Sequence, residues 1–180
     1  TVVDTNRPEV VVLGTNGAPI ASGDATPDAA DGTDFGTLDL TGSGVDRTFV
    51  VSNAAVGLLS LTGAPAVQIT GAHAADFTVT VQPAGAIASG AVSTFTVRFQ
   101  PAAAGARQAL VSIASNDEDE NPYTFAVQGT GTFDTSGYLY RAPIQFCGYG
   151  RDETLTNFPA LVVLGGGITN FTYAGFLDGA

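Results

Sequence analysis

The chain has 180 residues, with 6 Lys or Arg against 17 Asp or Glu and a formal net charge of −11. That excess of carboxylate excludes binding to a nucleic-acid backbone, which requires a positive footprint. One Cys and one His cannot build the usual zinc sites, and a lone Cys excludes a disulfide within the chain. No apolar run is long enough for a membrane-spanning helix. The chain contains no Met and shows no signal peptide, so it reads as an interior or processed piece of something longer. Charged residues are only 13% and hydrophobic ones 44%, too apolar for a disordered chain. The 23 Gly and 9 Pro point to short strands joined by turns. Low charge with many small polar residues is common in bacterial secreted and surface proteins, so the expected location is extracellular or on the cell surface.

In chain order, Thr1–Asn6 reads as an N-terminal arm before Pro8, so residues 1–7 stand outside the first domain. Glu9–Leu13 is the first predicted strand, closed by the turn signal Asn16-Gly17. Further strands are expected at Arg47–Asn53, Gly57–Leu61, Ala66–Ile69 and Phe77–Val81, with a single helical turn over His73–Asp76. Thr94–Gln100, Arg107–Ala114 and Tyr123–Gln128 complete the set. The period is two: Phe95, Val97 and Phe99 alternate with Thr94, Thr96 and Arg98, and Phe77, Val79 and Val81 with Thr78 and Thr80. The predicted core is Phe49, Val51, Phe77, Val79, Phe95, Val97, Phe99, Val111, Ile113, Phe125 and Val127. About eight short strands with turns between them predict an all-β, immunoglobulin-like antiparallel sandwich over residues 8–131.

Ordered motifs sharpen that reading. They run from Ser22-Gly23-Asp24 and Asp31-Gly32-Thr33-Asp34-Phe35-Gly36 through Arg47-Thr48-Phe49 and Ile69-Thr70-Gly71. Ala75-Asp76-Phe77, Phe99-Gln100-Pro101 and Ser115-Asn116-Asp117-Glu118-Asp119-Glu120-Asn121-Pro122-Tyr123 follow, and Gly129-Thr130-Gly131 closes the series. From about Val10 to Gly131 the chain resembles the bacterial choice-of-anchor D domain, a relative of the Hydin-like and major-sperm-protein-like sandwiches. The resemblance implies a repeated, non-catalytic module of large secreted or surface proteins, and it carries no catalytic residues. Residues 132–180 resemble the opening of a second module, of the kind that often precedes laminin-G-like or concanavalin-like domains, on Tyr140-Arg141-Ala142-Pro143-Ile144 and Asp178-Gly179-Ala180. They form either a partial second β module or a strand-donating tail.

Candidate sites are acidic. Asp24, Asp28, Asp31 and Asp34 share one loop, and Asp117 and Asp119 belong to the run Asp117–Glu120. Clustered carboxylates suit calcium. The spacing of the first group does not alternate as an EF-hand loop does, and Asp in Gly/Thr-rich loops makes local turn bonds. The second group reads as a solvated hairpin tip. No cofactor is therefore expected, with calcium as the alternative. No Gly-x-Ser-x-Gly elbow is present, His73 has no motif partner, and the carboxylates sit in loops without a Trp platform, so no enzyme is expected. Cys147 reads as a buried inert thiol or as one half of an intermolecular disulfide.

Half a module would leave Leu139, Ile144, Phe146, Leu161, Val163, Phe171 and Phe176 wet, and unpaired strand edges besides. Strands passed between copies would cover them, with Thr1, Val2 and Val3 as a second donor segment. The expected function is a structural unit of a bacterial extracellular filament, stalk or surface assembly, whose partners are copies of itself. The alternative is an adhesin that recognises a glycan or another surface through its loops.

Overall fold

Alternation of apolar and polar residues turns one side of each strand inward, and two sheets face each other across those sides. The structure, a computed structural model, describes residues 7–133. Eleven strands form in these residues: β1 (Val10–Leu13), β2 (Pro19–Ile20), β3 (Asp34–Asp39), β4 (Val45–Asn53), β5 (Leu59–Ser60), β6 (Val67–Thr70), β7 (Phe77–Val81), β8 (Ala86–Ile87), β9 (Val92–Phe99), β10 (Gly105–Ile113) and β11 (Tyr123–Thr132). One sheet has the order β2-β1-β4-β9-β7 and the other β3-β11-β10-β6, while β5 and β8 pair separately. All neighbours are antiparallel except β3 and β11. The fold is all-β and immunoglobulin-like. A 3-10 turn at Ala74–Asp76 occupies the single predicted turn.

The core follows the predicted face closely. Phe49, Val51, Phe95, Val97, Phe99, Val111, Ile113, Phe125 and Val127 are fully buried, and Phe77 nearly so. Val79 is only half-buried, because β7 is the edge strand of its sheet. Val81 departs from the predicted alternation altogether. Val79 pairs with Val97, but Val81 pairs with Thr96, so one extra residue is inserted in β7. That bulge shifts everything after it to the opposite face, and Val81 is exposed.

Three strands escape the sequence pattern. Strands β2 and β8 are two residues each, too short to show a period. Strand β3 (Asp-Phe-Gly-Thr-Leu-Asp) reads as a loop, yet it pairs with β11 because Phe35 is drawn into the core. Residues at the other strand ends differ from the predicted bounds by one to a few positions, as fraying ladder ends do.

Tight packing also explains a glycine. A Cβ on Gly129 would collide with the ring of Phe99 across the sandwich, so β11 can approach the opposite sheet only with glycine there. Phe95→Ala is expected to cost about 3–5 kcal/mol in urea unfolding, as large-to-small changes do in close-packed cores. Val81→Thr is expected to stay within about 0.5 kcal/mol, because it faces water. A costly Val81→Thr with a silent Phe95→Ala would mean that the register of these strands is wrong.

Candidate functional site

The β10–β11 hairpin and the beginning of β1 meet at one end of the sandwich. Strand β11 must start inward at Tyr123, so the loop before it folds back over the core rather than projecting. Asn121 helps by accepting from the Ser115 N–H at 3.1 Å. Asp117 is only 2% exposed, and its Oδ2 accepts from the Val10 N–H at 2.7 Å. Asn53, fully buried at the end of β4, donates through Nδ2 to the carbonyls of Gly57 (2.6 Å) and Ile87 (3.0 Å). Its Oδ1 accepts from Glu9 N–H at 3.3 Å. Asn116 clamps the β5 side, accepting from the Ser60 N–H at 2.7 Å and donating to the Leu58 carbonyl at 3.0 Å. Each of these side chains satisfies backbone groups that no ladder reaches.

This folding gathers four carboxylates. Oxygens of Glu9, Asp117, Asp119 and Glu120 all lie within 4.8 Å of one another. Glu118 points away and pairs with Arg7 at 2.8 Å in solvent. The reading of this run as a solvated tip therefore holds for Glu118 and Asp119 but not for Asp117, which the returning loop buries. Glu120 is half-buried, and its Oε2 is enclosed with no hydrogen-bond partner. Burial pushes the Glu9 carboxyl above its ordinary value, and the charges of Asp117 and Asp119 add to the push. Glu120 is raised in the same way, by burial first and then by Glu9, Asp119 and Asp117. Four hard oxygens so placed could ligate a divalent cation such as calcium. As the chain stands, Asp117 already gives one oxygen to the backbone.

The other acidic loop is built differently. Asp24 accepts from the Thr26 N–H at 2.9 Å, Asp28 from Ala30 at 2.8 Å, Asp31 from Thr33 at 2.9 Å and Asp34 from Gly36 at 2.7 Å. Each carboxylate closes its own turn two residues on, and the structure does not bring the four together. Hydrogen bonds from Thr26 hold the Asp24 carboxyl below its ordinary value. His73 accepts through Nδ1 from the Gln108 N–H at 3.1 Å. It borders a shallow, open groove with Ala25, Pro27 and Leu110. Thr1, Val2, Val3, Leu139, Ile144, Phe146, Cys147, Leu161, Val163, Phe171 and Phe176 lie outside the described residues.

Glu9 and Asn53 were not singled out in the sequence. Glu9 lies more than a hundred positions from Asp117; β1 lies beside β4, and the bond from the Val10 N–H to Asp117 brings its neighbour Glu9 to the loop. The capping role of Asn53 had one signal, a polar residue ending an inward-facing series.

No family model matches the chain, and no curated protein does. Solved structures align with it. A protein of unknown function from Porphyromonas gingivalis W83 aligns over 72% of this chain and 50% of its own, with 15% identity and a TM-score of 0.50. The ASH/PapD-like domain 7 of human CEP192 aligns over 74% of this chain and 94% of its own, with 13% identity and a TM-score of 0.43. A C. elegans member of the MSP family, WR4, aligns over 57% and 94%, with 12% identity and a TM-score of 0.37. The chain thus spans half the length of the Porphyromonas protein. Likeness at such identity concerns the fold alone.

The carboxylate cluster gives a pH prediction. Glu9 and Glu120 hold their protons more tightly folded than unfolded. Their contribution to stability is fully present below the ordinary value of 4.5 and is lost as the pH rises through the raised values. Melting temperature is therefore expected to rise on acidification from neutral pH towards the ordinary carboxyl value of 4.5. Asp24, whose value is lowered from 3.8, acts in the opposite sense only at more acid pH. Glu120→Gln is expected to raise the melting temperature at pH 7.5 and to flatten the pH profile. A lower melting temperature for this variant, seen only when calcium is present, would instead make the cluster a cation site.

Proposed function

We propose that the chain is a choice-of-anchor D type module acting as a non-catalytic structural unit of a bacterial extracellular filament, stalk or surface assembly, and that copies associate by strand exchange. The path of the chain carries this reading. Arg7 and Val10 are tied to Glu118 and Asp117 in the β10–β11 loop, at 2.8 and 2.7 Å. Strand β11 starts from that same loop and runs ten residues to Thr132. At about 3.3 Å per residue it leaves roughly 30 Å away, at the opposite end of the sandwich. A unit whose chain enters at one end and leaves at the other transmits position and tension along its long axis. The support for a non-catalytic role is the use of its polar groups: Asp117, Asn53, Asn116 and the loop aspartates all satisfy backbone donors or acceptors.

Electron microscopy of the concentrated protein tests this. Linear particles are expected, with an axial repeat on the order of 40 Å, the length of one sandwich. Uniform single particles at high concentration would overturn self-assembly.

A further inference from the structure

Strand β4 is nine residues long, but β1 pairs with only its last four, Val50 to Asn53. After Leu13 the chain turns off the sheet: Gly17 donates back to the Gly14 carbonyl, and the Thr15 N–H bonds to Asp31. Along Val45–Phe49, β4 therefore has β9 on one side and, among the described residues, no strand on the other. Among the described residues, more than half of this strand is thus left open along one edge, towards its first end. Its inward face carries Val45, Arg47 and Phe49, and its outward face Asp46 and Thr48. Arg47 is half-buried between the sheets, and its Nε is enclosed with no hydrogen-bond partner. An enclosed guanidinium nitrogen without an acceptor is costly, and a carboxylate is what it lacks.

The geometry points to Val2–Asn6 of a neighbouring copy as the strand that fills this edge, antiparallel to β4, with its Asp4 beside Arg47; Thr1 would face Val50, which Leu13 already pairs, and so stays outside the ladder. This deepens the structural reading above and rests on it. The arm has the sequence Thr-Val-Val-Asp-Thr-Asn. With Asp4 opposite Arg47 in the antiparallel sense, Val2 falls opposite buried Phe49 and Asn6 opposite Val45 at the rim. The parallel sense would set Asn6 against Phe49. The acceptor cannot use its own arm. Val10 lies opposite Asn53, six residues along β4 from Arg47, and Glu9 is bonded beyond that, to Ala54. Arg7 is thus more than about 20 Å from the level of Arg47. Asp4, three residues further out, reaches about 11 Å at most. An antiparallel arm also runs down past Val45 and off the acceptor's end, and so sets the donor's first end against the acceptor's last. Donor and acceptor use different surfaces, so the contact is heterologous and repeats without closing.

The test uses the full chain with Cys147→Ser. One preparation carries Asp4→Cys and the other Arg47→Cys. Directly paired strand positions sit within disulfide reach. Mixing under mild oxidation is expected to give cross-linked dimers, and neither preparation alone should do so. Separately, Arg47→Asp is expected to raise the concentration needed for assembly at least about tenfold, by light scattering. Asp4→Arg in the same chain is expected to restore it, which loss of folding could not do. Linear particles that persist without the cross-link and without charge-swap rescue would overturn this docking while leaving the structural reading intact. An intact chain that stays monomeric at high concentration would overturn both.

Discussion

Two aromatic clusters hold the sheets together, and the rest of the molecule is arranged around them. Phe49 stacks on Phe95 at 5.4 Å within one sheet, and Phe125 from the other closes on Phe49 at 5.7 Å. Below them, Phe77 and Phe99 lie 4.8 Å apart, and Phe35 reaches across to both at 5.6 and 5.8 Å. Each cluster draws on both sheets, so neither sheet can slide without separating rings in both. The second cluster explains β3. Its sequence has poor strand propensity, but Phe35 must sit over Phe77 and Phe99, and the backbone that carries it then finds β11 alongside. The glycine at position 129 is the other consequence, since the ring of Phe99 occupies the space of a side chain.

Around this core, polar residues act mainly on backbone. The β1–β2 hairpin is pinned to the opposite sheet by the Tyr123 hydroxyl, which donates to the Ile20 carbonyl. Asp76, the buried last residue of the 3-10 turn, accepts from the Ala102 N–H at 2.9 Å and faces Arg107 at 3.6 Å. With so few charged side chains, the fold spends Asp and Asn on closing loops. A sandwich with many connections has many N–H groups beyond its ladders, and short acceptors meet them at little cost in side-chain entropy.

What was legible in the sequence was the long alternating strands, because a two-residue period survives any context in which one face is buried. Phe95, Val97 and Phe99, and Phe125 and Val127, fall where the pattern puts them. Val81 does not, because a bulge changes the face without changing composition. The local Asx turns of Asp24 to Asp34 could be read from spacing, since each bond spans two residues. The Glu9–Asp117–Asp119–Glu120 cluster could not, since it is made by a long-range pairing that no local period encodes. Nor could the open half of β4, which depends on where β1 leaves the sheet.

That open half also bears on specificity. Sheet edges invite indiscriminate pairing, and charged residues on them discourage it. On β4 the outward Asp46 is held by Arg98 in a two-point bridge at 2.7 and 2.8 Å, and Thr48 is bonded to Thr96 at 2.9 Å. Arg98 keeps the Asp46 carboxyl ionised by lowering its proton affinity. The outward face is thus polar and already satisfied by the neighbouring strand, while the inward face retains an enclosed guanidinium nitrogen with no acceptor. A strand without an acidic residue at the matching position would complete the ladder but leave that nitrogen unmet, and a basic one would meet a like charge. In the docking proposed above, the residue that would select one segment would also close this edge to most others, which is how a protein can keep a strand edge open among its described residues without aggregating through it.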